Sequence, residues 1–192
     1  MNEELLSKAM ALFDTPEKWN AFCELLNRRD DIQNRWWRKL QQEVYRRELT
    51  TNNPDWDIYI WNNWDIRWYL KEFGQNSLCV HFWGDAFRVF LNYGNLDISK
   101  CKELLKDSKF DAIRNCFDRI DYSNDETIGQ ADRNFSFGTI YDGKFPDART
   151  LSWYAGNRTE EFADQLIAKV WKFQTTEITA LFKEINEKCK KE

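Results

Sequence analysis

Three prolines and seven glycines in 192 residues leave this chain few forced turns. So few glycines, none in GxGxxG or GxxxxGK spacing, exclude a glycine-rich phosphate loop. There is one histidine, His81, which excludes every metal site built on a histidine pair, the HExxH helix included. No zinc-finger or EF-hand spacing occurs. The five cysteines at 23, 79, 101, 116 and 189 are odd in number and contain no CxxC pair. A disulfide scaffold is thereby excluded, and reduced thiols in a reducing, cytoplasmic setting are expected. The sequons at Asn134 and Asn157 carry no meaning in that setting. No apolar run approaches the ~20 residues a membrane span needs. Glu3, Glu4 and Lys8 interrupt the only stretch that could pass for a secretory leader. Excess charge of one sign is also lacking: the formal net charge is -4 and the pI about 5.3. Polyanion binding would need a local patch rather than the whole surface.

What the chain has in quantity is apolar and aromatic side chains, 42% and 16% of residues. That suffices for one packed domain over 1–192. Residues 3–13 carry Leu5, Leu6, Ala9, Leu12 and Phe13 at helical spacing. Thr15 then reads as an N-cap with Pro16 at the first helical position. From there to about Leu49 no Gly or Pro occurs. Phe22, Leu25, Leu26, Ile32, Trp36, Leu40 and Val44 recur on one face. This predicts one long helix, or two joined near Arg28–Asp31, ended by Pro54. Residues 1–50 thus form a helical segment that packs on the domain or projects from it.

The stretch WDIYIWNNWDIRWYL, 56–70, holds four tryptophans in fifteen positions. A two-residue turn at Asn62-Asn63 would pair Ile60 with Asp65 and Ile58 with Arg67. An odd loop pairs Ile60 with Ile66, Ile58 with Trp68 and Trp56 with Leu70, which sorts the apolar residues onto one face. In LCVHFWGDAFRVFL, Gly84-Asp85 fits a two-residue II′ turn. It pairs Phe82 with Phe87, Val80 with Val89 and Leu78 with Leu91. A loop at Phe73-Gly74-Gln75, pairing Leu70 with Leu78, completes a four-strand meander. Two short helices follow, from Asp97 and from a Ser108–Asp111 capping box. Residues 121–134 read as a loop, FSFGTIY and TLSWY as a later strand pair, and Thr159 to about Lys188 as a helical run weakest at Thr175-Thr176.

The fold expected is therefore α+β: a mainly antiparallel sheet, four meander strands plus a later pair, against long N- and C-terminal helices. The second sheet face carries the row Tyr59, Arg67, His81 and Arg88, with Tyr69, Cys79, Trp83 and Phe90 beside it. Trp61 points the same way, and Trp64 sits at the loop. Aromatics interleaved with arginines can stack bases and hold phosphates. They also suit a protein partner. The plainer reading is a face covered by a helix, with Glu43, Glu48, Asp164 or Glu177 neutralising the cations. Arg28, Arg35, Lys39 and Arg46 form a second candidate, a basic strip about 27 Å long at about 1.5 Å per residue. Any amphipathic helix must place such residues on a solvated face, so the strip alone is weak evidence.

Chemistry leaves few marks. His81 has no nucleophile motif around it. Pro54-Asp55 followed by Asp65-Ile66-Arg67 loosely matches the PD…(D/E)xK arrangement of metal-dependent nucleases, but arginine replaces the lysine and the strands form a tight hairpin. Trp68-Tyr69-Leu70 is a three-letter coincidence in a chain so rich in Trp and Tyr. The expectation is a non-catalytic binding protein with a protein partner, no cofactor and no membrane. The rivals are a single-stranded nucleic-acid binder using the aromatic–arginine face, and an enzyme using His81.

Overall fold

The computed structural model describes residues 3–62, 65–83, 86–91, 94–117, 127–128 and 148–191. Three N-terminal helices come first: α1 (Glu3–Leu12), α2 (Pro16–Asn27) and α3 (Arg29–Thr51). Thr15 caps α2, its hydroxyl accepting from Lys18 N, and Arg28 separates α2 from α3. The 16–49 stretch is therefore two helices. Asn52 ends α3 in the left-handed conformation, where Asn is tolerated. The Asn53 side chain then accepts from the Asp55 and Trp56 amides and launches the sheet.

Strands β1 (Trp56–Trp61), β2 (Asp65–Leu70), β3 (Cys79–Trp83) and β4 (Ala86–Phe90) form an antiparallel meander. The β1–β2 register is Trp56↔Leu70, Ile58↔Trp68 and Ile60↔Ile66, the odd-loop register. Asn62, with a positive φ, supplies the left-handed residue that such a loop uses. The buried Gln41 side chain donates to its carbonyl at 2.7 Å. In β3–β4, Phe82↔Phe87 and Val80↔Val89 pair as the apolar sorting requires. Trp83↔Ala86 leaves two residues for the connection, while the Gly84-Asp85 turn itself lies outside the described residues. Both ladders stop one rung short of expectation, at Tyr69↔Cys79 and Cys79↔Phe90. Leu70, Leu78 and Leu91 are buried all the same.

After the meander come α4 (Ile98–Leu104), a 3₁₀ turn (Ser108–Phe110) and α5 (Asp111–Arg114). Asp107, not Ser108, caps that turn, through the Lys109 amide. A two-residue strand β5 (Thr127–Ile128) pairs with β4, inside the stretch expected to be loop. Residues 135–141, one half of the expected later strand pair, lie outside the described residues. The other half, 150–154, is a helix: it falls within α6 (Ala148–Asn157). Its strand-favouring residues are overridden by tertiary packing. Thr150, Leu151, Ser152, Ala155 and Gly156 are buried, and α6 lies along α3. The approach is close enough that a Cβ on Gly156 would fall 2.0 Å from Trp36 Cδ1. The C-terminal run divides into α7 (Thr159–Trp171) and α8 (Thr176–Cys189), with Thr175 capping α8 through the Ile178 amide.

The core lies between the first sheet face and the helices. Trp37 meets Phe82 and Phe162, Trp56 meets Phe182, and Phe173 meets Phe87. Two polar bonds fix α8 to the sheet: Trp56 Nε1 donates to Thr179 Oγ1 at 2.9 Å, and the Leu78 amide to Asn186 Oδ1 at 3.0 Å. In α3 the buried stripe is Trp37, Leu40, Gln41, Val44 and Glu48, with Trp36 only partly covered. Leu25 and Leu26 of the expected apolar face are exposed instead, and α2 buries none of its residues. Among the described residues no helix is long and apolar enough to cross a membrane.

Candidate functional site

Strand alternation sends Asp65, Arg67 and Tyr69 of β2 to the face opposite the core, together with Cys79, His81 and Trp83 of β3. The ladders align them in rows: Trp61–Asp65–Trp83, then Tyr59–Arg67–His81–Arg88, then Asp57–Tyr69–Cys79. Of the eight sheet residues picked out from the sequence, seven are brought to this face. Trp64 lies outside the described residues.

Asp65 was not among them, and it organises the site. Arg67 donates to its carboxylate from Nε at 3.0 and 3.2 Å and from Nη2 at 2.7 Å. His81 Nε2 lies 2.9 Å from Asp65 Oδ1. All three side chains are buried. The counter-charge of the row therefore comes from the adjacent position on the sheet itself. Of the helix acids expected there, Glu43 binds Arg46 and Arg47, and Asp164 binds Arg47. Glu48 is buried beside Trp68 and Gln174. Burial alone would push Asp65 up, but hydrogen bonds from His81 and Arg67, and their charges, hold it below the usual carboxylate range. Burial pushes His81 down against the pull of Asp65, and Arg67 and Arg88 push it further.

Around this buried cluster stand two tryptophans that remain about half exposed, Trp61 at 53% and Trp83 at 49%. They flank Asp65 in one row, one on each neighbouring strand. Each is backed by cations: the Arg67 guanidinium lies 4.4 Å from the Trp61 ring centre, and that of Arg88 5.8 Å from Trp83. The His81 ring stacks on Trp83 with planes 12° apart. Such contacts hold the indoles in place without covering their outer faces.

The chemistry available here is narrow. Cys79, the nearest thiol on this face, is fully buried, and burial raises it far above the range of a reactive thiolate. The His81 nitrogen that faces Asp65 is occupied by it. Asp55 and Asp65 are the acids of the nuclease-like pattern. Asp55 precedes the first residue of β1, whereas Asp65 pairs with its last, so the whole extended strand separates them. They cannot share a metal ion. Among the described residues, no three His, Cys, Asp or Glu side chains come together as metal ligands.

The basic strip runs from the α2–α3 junction, where Arg28 sits, along α3, and it is interrupted by partners. Arg28 pairs with Asp31 and Arg46 with Glu43, while Lys39 Nζ donates to the Gly156 carbonyl at 2.8 Å. Arg35 is exposed. Lys39 and Arg46 do line an open groove of about 730 Å³ between α3 and the start of α7. Glu43, Glu160 and Asp164 line it too, and Arg46 and Arg47 hold the Glu43 carboxyl down at about 2. Its charges are balanced, which ill suits a phosphate chain. No family model matches this chain, and neither a curated protein nor a solved structure resembles it significantly.

Proposed function

We propose that this chain is a non-catalytic binding protein that contacts another protein through the second sheet face. The observation that carries the reading is the pair of half-exposed tryptophans, Trp61 and Trp83, held by Arg67, His81 and Arg88 around a buried carboxylate. Trp and Arg are the residues that most often anchor protein interfaces, and anchors whose geometry is set beforehand lose little entropy on binding. A reducing, cytoplasmic setting belongs to this reading and is supported by an odd number of cysteines with no CxxC spacing.

A second reading, single-stranded nucleic acid stacking on the same indoles, is favoured by the arginines beside each ring. Against it, Asp65 neutralises much of the charge that phosphates would need. One experiment separates the two. A photoreactive phenylalanine analogue is placed at Trp61, at Trp83, or at Trp171, an exposed tryptophan on α7. Cells are then irradiated. The proposal expects discrete protein adducts from the two sheet positions and none from the third. Nuclease-sensitive adducts would favour the second reading. Equal labelling at all three positions would sink both.

A further inference from the structure

We propose that Cys101 and Cys189 are a disulfide-forming pair that closes when the protein meets a disulfide oxidant such as oxidised glutathione, locking α4 to the end of α8. Cys101 lies one turn into α4 and Cys189 is the last residue of α8; neither is exposed. The backbone holds them together. The Asp97 amide donates to the Cys189 carbonyl at 2.8 Å, and the Cys101 amide donates to the Asp97 carbonyl at 2.9 Å. Leu96 pairs with Lys190 in an antiparallel bridge, and Lys191 N donates to Asn95 O at 3.0 Å. The packing of α4 against α8 encloses both side chains, and each thiol perturbs the other. A bridge between them needs the sulfurs at about 2.05 Å and the Cα atoms within about 7 Å.

The other three cysteines are placed differently. Cys79 is on the sheet beside Arg67 and Asp65, Cys116 donates to the Ala112 and Lys172 carbonyls, and Cys23 is on α2. Within the pair, Cys189 is the nucleophile. Burial raises both thiols, but contact with Cys101 and the charges of Lys100 and Lys188 offset part of that at Cys189, which makes it the more acidic of the two. The Cys189 thiolate attacks one sulfur of the oxidant, whose S–S bond breaks and releases one glutathione thiolate. Cys101 gives up its proton, attacks the Cys189 sulfur, and releases the second glutathione. Two protein thiols are oxidised and one small disulfide is reduced. Because both sulfurs are buried, the exchange requires the end of α8 to open. It is therefore slow in the folded protein and fast during folding.

The test uses the full chain carrying Cys23→Ser, which removes the half-buried thiol on α2. The reduced protein is refolded in oxidised glutathione, and a folded sample is incubated in parallel. Both are acid-quenched, alkylated and mapped by peptide mass. The proposal expects two thiols lost, a 101–189 cross-linked peptide, and a Tm higher than the reduced form by roughly 10 °C, from closure of a long loop. Cys101→Ser and Cys189→Ser should each lose the bridge and the thermal gain while remaining folded. Five measurements would overturn the proposal: unchanged thiols after refolding, glutathione retained on Cys189, a bridge mapped to another pair, equal oxidation in Cys101→Ser, or a bridged form no more stable than the reduced one.

Discussion

Replacing Asp65 with Asn tests the account of the sheet face most directly. The side chain keeps its shape and loses its charge. In the native protein this carboxylate accepts three hydrogen bonds from Arg67 and faces His81, all within buried surroundings. Removing one partner of a buried ion pair leaves the other charge uncompensated and costs about 3–5 kcal/mol. In a chain of this length each kcal/mol is worth about 2–4 °C, so Asp65→Asn should lower Tm by about 6–20 °C. Denaturant unfolding at pH 7.5 gives the same quantity as a shift in midpoint at unchanged slope. The second arm is Asp65→Asn with Arg67→Met. Without either charge, the methionine fills the stem of the arginine and the cost of a lone buried cation disappears, so stability should largely return. The pair should therefore show a coupling of well over about 1 kcal/mol. An Asp65→Asn loss below about 1 kcal/mol would refute the reasoning, as would a double variant whose loss equals the sum of the singles. Either would mean that Arg67 is neutralised elsewhere.

Three further outcomes can be measured. Gly156→Ala should destabilise by about 1–3 kcal/mol, since its Cβ would meet the Trp36 ring near its root, and Trp36→Leu should recover part of that; an unchanged Tm would contradict the α3–α6 approach. Glu48 is raised above the ordinary Glu range by burial, so its folded form binds the proton more tightly and its cost grows as pH rises through that window. Glu48→Gln should accordingly raise Tm at pH 8 and do less at pH 4.5; a lower Tm at pH 8 would be the wrong sign. His81 is held below the ordinary histidine range, so the unfolded chain takes up the proton first and stability present above pH ~6.5 is lost as pH falls below it. As this is the only histidine, the difference between wild type and His81→Gln over pH 7.5–5.5 isolates the effect, and parallel pH profiles would refute it.

The sheet was more legible in the sequence than the helices, for a physical reason. A strand repeats every two residues, so one misplaced residue reverses every side chain. Only the odd β1–β2 loop brings Ile60, Ile58 and Trp56 to apolar partners, and that is the register found. Helical faces are broader and tolerate drift. The stripe read through Trp36 turns by one residue to Trp37, and Leu25 and Leu26 fit the period yet stay exposed because α2 buries no residue. At 150–154 the local pattern was strand-like, and the deciding fact was remote: the small residues of α6 let α3 approach at Trp36. No local window contains that contact.

The site itself was half legible, and the missing half had a signal. Tyr59, Arg67, His81 and Arg88 follow from alternation and register, yet a row of cations is unstable unless something neutralises it. The helices are where such an acid is expected, because Asp65 reads as a turn residue beside Asn62-Asn63. Alternation gave a nearer answer. Residues two apart on one strand share a face, so an acid at 65 must lie beside an arginine at 67. The register that pairs Trp61 with Asp65 then puts the same carboxylate between two tryptophans. The neighbouring row repeats the pattern: the Tyr69 hydroxyl donates to Asp57, its cross-strand partner, at 3.4 Å. On this face Arg67, His81 and Tyr69 are each answered by an acid of the sheet itself. Trp61 and Trp83 can therefore stay partly exposed beside an Asp65–Arg67 pair whose charges meet each other, and a paired cluster under open indole faces is what a preformed contact surface requires.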